Sequence, residues 1–311
     1  MRTQWDQKPY YSLDTYCKEQ FGQKLYKVAL DAGMTCPNRD GTLDTRGCIF
    51  CSAGGSGEFA IPASSLFSSV EASQKEGPFI AYFQSFTNTY APTNHLSSLY
   101  REALSTKNCA GISIATRPDC FTPEIYCLLS RLRTEYPSQF IWIELGLQTI
   151  HEASAQYIRR GYPLSVFDQC MKELTARSIP VIVHVILGLP GETKEAMLQS
   201  VTYLNQFHPF GVKLSLLHIL KGTDLSIDYL NGQFSVLEKE DYIALLLECL
   251  ECLSPEIVIH RLTGDGPKDL LLAPLWSRDK RNVLNSLHKK MKENNSWQGK
   301  KATEAKMGAN R

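Results

Sequence analysis

Short apolar runs alternating with helix-patterned segments constrain this chain more than any other feature. The runs are 25–30 (LYKVAL), 79–84 (FIAYFQ), 111–115 (GISIA), 140–148 (FIWIELGLQ), 180–187 (PVIVHVIL) and 212–217, and 256–261 reads as a possible seventh strand or the last edge of the sheet. Helical spacing fills 95–104, 123–133, 151–159, 164–177, 193–206 and 241–253. Continuous apolar strands between helices belong to a parallel sheet covered on both faces, which makes the chain α/β. Nearly every run ends in a polar or glycine-rich cluster: the cysteine loop after the first, SFTNT, Thr116-Arg117-Pro118-Asp119, Glu144 to Gln148, GLPGET, and His218 with Lys221. Functional groups gathered at one end of many parallel strands are the habit of barrels. A dinucleotide fold would instead carry G-x-G-x-x-G after its first strand, and none is there. The expected architecture is a partial (β/α)6 TIM-like barrel at 25–255, with an irregular lead-in at 1–24 and a C-terminal extension at 256–311.

The loop after the first run holds Cys36, Cys48 and Cys51, spaced C-x11-C-x2-C, with no fourth cysteine or histidine within it. A structural zinc site closes with four ligands, whereas an iron–sulfur cluster with one open iron needs three thiolates. A zinc site completed by a remote Cys17 or a histidine is the alternative. The other cysteines stand in ordinary helix or strand surroundings, as buried thiols in a reducing compartment do. Cys249 and Cys252 form a second C-x2-C in an apolar helical run, read as buried thiols, with a dithiol role left open. Glu144 is costly to bury unpaired in an apolar strand, which favours a functional role. His184 could face either a core or a pocket.

Together, the three-cysteine loop with Phe50 before its last cysteine, ELGLQT on the fourth run and HVILGLPGET on the fifth resemble the radical S-adenosylmethionine (radical SAM) superfamily. The long cysteine spacing, GGSGEFA, IRRGY and LHILKGT resemble its YtqA/YhcC-like branch, relatives of the Elongator radical module and of MnmL type. The resemblance implies that Cys36, Cys48 and Cys51 bind three irons of a [4Fe-4S] cluster, leaving the fourth for S-adenosylmethionine. It implies that Phe50 lines the adenine side, and that Gln84, Asn88 and Thr89 stand in for the G-G-E element, absent here. By the same likeness Glu144 and Gln148 face the sulfonium or ribose, Arg159 or Arg160 pairs with the methionine carboxylate, and Leu187, Gly188 and Pro190 offer backbone to adenine.

From the same resemblance follow a tRNA substrate read at the anticodon loop, an electron donor such as flavodoxin or ferredoxin, and a downstream methyltransferase. The implied reaction converts 5-carboxymethylaminomethyluridine at the wobble position to the 5-aminomethyl form, with Lys221, Arg117 or His218 contacting substrate. Charge points the same way: the formal net charge is +1, yet positions 278–311 carry ten Lys/Arg against three acids. A basic tail on an acidic body suits a polyanion, or simply solubilises a terminus. Lys289, Lys290, Lys292, Lys300 and Lys301 around Trp297 would suit phosphates and an unstacked base. Without an apolar h-region or a membrane-length apolar run, the expected location is cytoplasmic, with no membrane. A radical enzyme acting on a peptide or small metabolite and a non-catalytic metal or RNA-binding module remain the other two classes.

Overall fold

A computed structural model describes residues 4–55, 57–65, 77–264 and 266–302. The fold is α/β with an eight-stranded parallel sheet, consistent with a partial barrel. Its strands are β1 (Tyr26–Asp31), β2 (Ile61–Pro62), β3 (Phe79–Phe83), β4 (Cys109–Thr116), β5 (Phe140–Gln148), β6 (Val181–Leu187), β7 (Gly211–Leu216) and, past β8 (Ile219–Leu220), β9 (Val258–Arg261). The order is β2-β1-β3-β4-β5-β6-β7-β9, and β8 pairs separately and antiparallel with β10 (Leu271–Ala273). Each of the six expected runs is a strand, and 256–261 supplies the edge strand β9.

The chain divides into two compact units. One, the loop unit, comprises Gln23–Gly146 and Arg159–Ile182; the other, the terminal unit, comprises Met1–Gly22, Leu147–Ile158 and Val183–Arg311.

In the loop unit β1 runs in register with β3 from Tyr26 opposite Phe79 to Leu30 opposite Phe83, and β4 pairs β5 so that Ala115 faces Glu144. All five residues of β3 are buried, as a strand covered on both faces demands. Gly111 is needed where β4 crosses β5 closely, because a Cβ there would stand 2.3 Å from the Phe140 carbonyl oxygen. Helices α2 (Thr93–Ser105), α3 (Pro123–Glu135) and α5 (Leu164–Ala176) bury stripes such as Leu96, Tyr100 and Leu104, or Phe167, Met171 and Leu174, at helical spacing.

The terminal unit corrects the irregular lead-in expected at 1–24. Helix α1 (Leu13–Phe21) starts at Ser12, whose hydroxyl accepts the Thr15 amide at 3.2 Å, and ends at Gly22 in the left-handed region. The Tyr11 carbonyl accepts the Ile259 amide at 2.7 Å, so the segment extends edge strand β9, and Trp5 is buried. The basic C-terminal stretch is also built into the fold as far as it is described. Helix α9 (Lys280–Glu293), capped by Asp279, packs Val283, Leu287 and Met291 against helix α8 (Lys239–Cys252). Beyond it the buried Gln298 amide donates to the carbonyls of Ser254 (2.7 Å) and Ile257 (2.8 Å), and its oxygen accepts the Tyr11 amide (2.9 Å). Trp297 is half-buried, and Lys301 is paired with Glu251 at 2.8 Å; Lys306 and Arg311 lie outside the described residues. Cys249 on α8 is fully buried, as expected of a packed thiol. Among the described residues no helix is long and apolar enough to cross a membrane.

Candidate metal and cofactor site

The cysteine loop leaves β1 and folds on its own backbone. The Cys36 carbonyl accepts the amides of Arg39 (2.8 Å) and Asp40 (3.1 Å), the Cys48 carbonyl accepts the Cys51 amide (2.9 Å), and Gly47 donates to the Asn38 carbonyl (2.7 Å). The eleven residues between Cys36 and Cys48 are thus an excursion whose end returns to its start. Gly47 takes a left-handed conformation, and a Cβ there would lie 2.8 Å from Arg39 Nε. The Arg39 guanidinium uses that space to donate to the carbonyls of Cys51 (2.8 Å) and Ser52 (2.5 Å), clasping the C-x2-C turn.

All three thiols are half-buried as residues and sense one another's charge. Burial, then the Cys51 charge, push Cys48 up to about 12, against the pull of Arg117 and a hydrogen bond from Asn38. Burial raises Cys51 as well, and Arg39 opposes it. Neighbouring thiols whose charged forms would repel one another suit a multiply charged cation, which deprotonates ligating thiols. Among the described residues no group of three or more His, Cys, Asp or Glu side chains is arranged to hold a metal ion. Three thiolates are one short of a closed structural zinc site and match an iron–sulfur cluster that leaves one iron open, so the donor chemistry fits such a cluster.

The segment after β3 closes over this loop. Gln84 donates its amide to the Leu30 carbonyl (3.1 Å), Phe86 to Gly55 (3.1 Å) and Thr87 to Thr35 (3.2 Å). Gly55 and Gly57 permit the approach, because a Cβ on either would strike Phe86 or Ser85; Ser56 of that motif lies outside the described residues. Asn88 is fully buried, and its amide nitrogen donates to the carbonyls of Ser85 and Ala115, both at 3.0 Å. Thr89 is held by Thr116 (2.6 Å) and the Cys120 carbonyl (2.8 Å). Asn88 Oδ1 and Ser85 Oγ are buried with no hydrogen-bond partner among the described residues. Two such acceptors beside the cluster loop fit an incoming ammonium. Phe50 is half-buried in the C-x2-C turn.

Glu144, 1 % exposed on β5, is not an unpaired charge: its carboxylate accepts Lys27 Nζ at 3.1 Å and Ser113 Oγ at 2.8 Å. The IRRGY turn brings Arg159, Arg160 and Tyr162 to the same unit. Arg159 has φ +56°, and its carbonyl accepts Asn38 Nδ2 at 2.7 Å. The buried Arg160 donates to the Tyr162 carbonyl (3.0 Å), and the Tyr162 hydroxyl donates to the Gly146 carbonyl (2.7 Å). The guanidiniums of Arg117 and Arg160 both lie about 5 Å from the Tyr162 ring centroid. Arg117 is bidentate to Asp119, at 2.9 and 2.7 Å, so that carboxylate already occupies its fork. Burial weakens its charge, but the Asp119 bond and the surrounding charges outweigh this and hold it above the ordinary arginine range.

The remaining expected residues belong to the terminal unit. Gln148 ends β5 with φ +66°. Next to it Thr149 donates to Glu192 of GLPGET at 2.5 Å, and Thr193 caps helix α6 (Lys194–Thr202). The Leu187 carbonyl accepts the Leu217 amide (2.9 Å), Gly188 is left-handed against Leu237, and Pro190 is half-buried. Lys221 is exposed. His218 Nδ1 accepts the Gly266 amide (3.1 Å), and Nε2 has no partner among the described residues. Its ring fills the space that side chains at Gly264 and Gly266 would take. Burial, with the charges of Lys280 and Arg261, lowers its pKa to about 4.

Sequence reasoning missed Asn38, Arg39, Lys27 and Ser113, and named Asp119 and Tyr162 only within larger motifs. Asn38 and Arg39 carried a faint signal, standing two and three places after Cys36; the others meet the site only through strand register and turns.

The family description Radical SAM superfamily matches residues 45–204, and Radical_SAM C-terminal domain matches 209–293. The uncharacterized protein YtqA of Bacillus subtilis is 39 % identical over 302 residues, 94 % of this chain and 93 % of that protein. Human Elongator complex protein 3 is 26 % identical over 175 residues, 55 % of this chain and 31 % of that protein. Among solved structures, archaeal Methanocaldococcus infernus Elp3 superposes with a TM-score of 0.64 at 16 % identity, over 88 % of this chain and 65 % of the other. That likeness bears on the fold alone.

Proposed function

The chain belongs to the radical SAM superfamily, and from that premise we propose that it modifies the wobble uridine of tRNA, converting the 5-carboxymethylaminomethyl group, with or without a 2-thio group, to 5-aminomethyl. Enzymes of this superfamily use a [4Fe-4S] cluster and S-adenosylmethionine. The observation that supports the substrate is the sequence relation to Elongator complex protein 3. The cationic outer face of α9, with Arg281, Lys289 and Lys292 exposed, adds support.

When bound, the cluster supplies one electron that cleaves S-adenosylmethionine to methionine and a 5′-deoxyadenosyl radical. Cys36, Cys48 and Cys51 hold the cluster in this reading. Asn88 Oδ1 and Ser85 Oγ accept the methionine ammonium, while Thr89, its hydroxyl engaged, fixes the segment that carries them. Arg159 or Arg160 answers the methionine carboxylate, Gln84 and Glu144 flank the sulfonium and ribose, and Phe50 borders adenine. A hydrogen atom leaves the methylene between the substrate's nitrogen and carboxylate. Loss of one further electron to a one-electron acceptor of the flavodoxin or ferredoxin class, and of the proton on the neighbouring nitrogen, gives an imine there, and water splits it to the aminomethyl nucleoside and glyoxylate. Lys221 contacts the substrate carboxylate, and His218 serves as a neutral hydrogen-bonding group.

The test is incubation of reconstituted, reduced protein with S-adenosylmethionine and tRNA bearing the carboxymethylaminomethyl group, followed by nucleoside mass spectrometry. The expected outcome is the aminomethyl nucleoside with stoichiometric 5′-deoxyadenosine. An unchanged nucleoside alongside 5′-deoxyadenosine would overturn the substrate and leave a peptide or small metabolite in its place.

A further inference from the structure

Asn38 is 1 % exposed and is among the most constrained side chains of the loop unit. Its one amide nitrogen donates to two acceptors: the Arg159 carbonyl at 2.7 Å and Cys48 Sγ at 3.4 Å, within range for a sulfur acceptor. An amide nitrogen has two protons, so each bond has its own. The Cys48 sulfur is also 3.6 Å from that same Arg159 carbonyl, making the three groups one triangle. The backbone holds Asn38 from the other side, where its carbonyl accepts the Gly47 amide immediately before Cys48. Gly161 closes the arrangement. It has φ +83°, and a Cβ there would lie 2.8 Å from Asn38 Oδ1 and 3.1 Å from Arg117 Nη2. The glycine of IRRGY is therefore matched to Asn38.

We propose that Asn38 is a positioning residue that locks the Cys48 sulfur to the 158–162 turn and raises the reduction potential of the cluster held by that sulfur. An N–H donor to a ligating thiolate offsets negative charge, and the reduced cluster, one electron richer, gains more from it than the oxidised one. The potential is therefore higher with the bond than without it. The carbonyl bond fixes where Arg159 and Arg160 enter, so one amide coordinates the electron source with the turn assigned to the cofactor carboxylate. This inference rests on Cys36, Cys48 and Cys51 as cluster ligands.

The test replaces Asn38 with leucine, of similar size but without a donor, and with serine, which keeps one donor on a shorter arm. Both are reconstituted, counted for iron and titrated by EPR. In Asn38→Leu with the wild-type iron content, the potential should move to more negative values. The expected size is on the order of a tenfold fall in the reduced-to-oxidised ratio at fixed ambient potential, about 59 mV for one electron. Asn38→Ser should fall between the two. A packing role alone would lower iron retention and leave the potential unmoved, so an unchanged potential in iron-replete Asn38→Leu overturns the proposal. Should both variants lose iron, hydrogen exchange of the metal-free proteins decides. Faster exchange at 158–162 supports the lock, and unchanged exchange overturns it. Cys48→Ala tests the underlying assignment separately: an undiminished cluster there would remove the ligand reading whatever Asn38 does.

Discussion

At the scale of single residues, a buried ionisable group carries meaning only once its neighbours are known. Glu144 reads from its strand as an expensive charge, yet Lys27 from three strands away and Ser113 from the adjacent one satisfy it. The pairing exists because β1, β3, β4 and β5 are aligned side by side, a relation the sequence does not write down. His218 is different, since its burial lacks an answering acid among the described residues. With its pKa at about 4 in the fold and 6.5 as the ordinary value, folding favours the neutral ring. Its contribution to stability is complete above about pH 6.5 and shrinks as pH falls, because the unfolded chain takes up the proton first; below about pH 4 it is gone. His218→Gln should flatten the dependence of the urea midpoint on pH between 4 and 6.5. An equally steep dependence in the variant would show that the ring does not titrate as its surroundings dictate.

Among elements, the strands were the easiest to read, since a strand buried on both faces must be apolar throughout and β3 and β6 are nearly so. Helix α1 was missed because its mean hydropathy is low and its apolar content sparse, although its caps stood in plain view as Ser12, Asp14 and Gly22. Those caps help it hold the N-terminal segment against β9, so replacing Ser12 by alanine should destabilise the protein by about 1 kcal/mol, read from chemical denaturation. A loss within error would mean that the Lys8–Asp14 ion pair and the Tyr11–Ile259 bond hold the helix start without the hydroxyl. In the basic C-terminal stretch the charges mask a helix. Val283, Leu287 and Met291 recur at helical spacing, and this stripe, outnumbered by lysines in composition, is what docks α9 on α8.

For the molecule as a whole, the consequence of docking α9 is that its cationic face is presented on a rigid element. Reversing three of its exposed charges together, Arg281→Glu, Lys289→Glu and Lys292→Glu, should weaken tRNA binding at low salt by at least tenfold and flatten its salt dependence. Formation of 5′-deoxyadenosine without tRNA should stay unaltered. Unchanged affinity, measured by anisotropy across a salt series, would move the RNA contact elsewhere. The sequence by itself determined the α/β class, the strand sequence and the three cysteines, because periodicity and thiol spacing are local properties of the chain. It equally placed GLPGET at a strand end. Only the tertiary structure decided which side chains serve the cysteines. Asn38 reaches Arg159 across more than a hundred residues, Arg39 turns back to Cys51, and Asn88 spends its amide nitrogen on the backbone while its oxygen stays unclaimed among the described residues. Hydrogen bonds and buried charges depend on ångström-scale approach between segments distant in sequence, and that approach is set by strand register and packing.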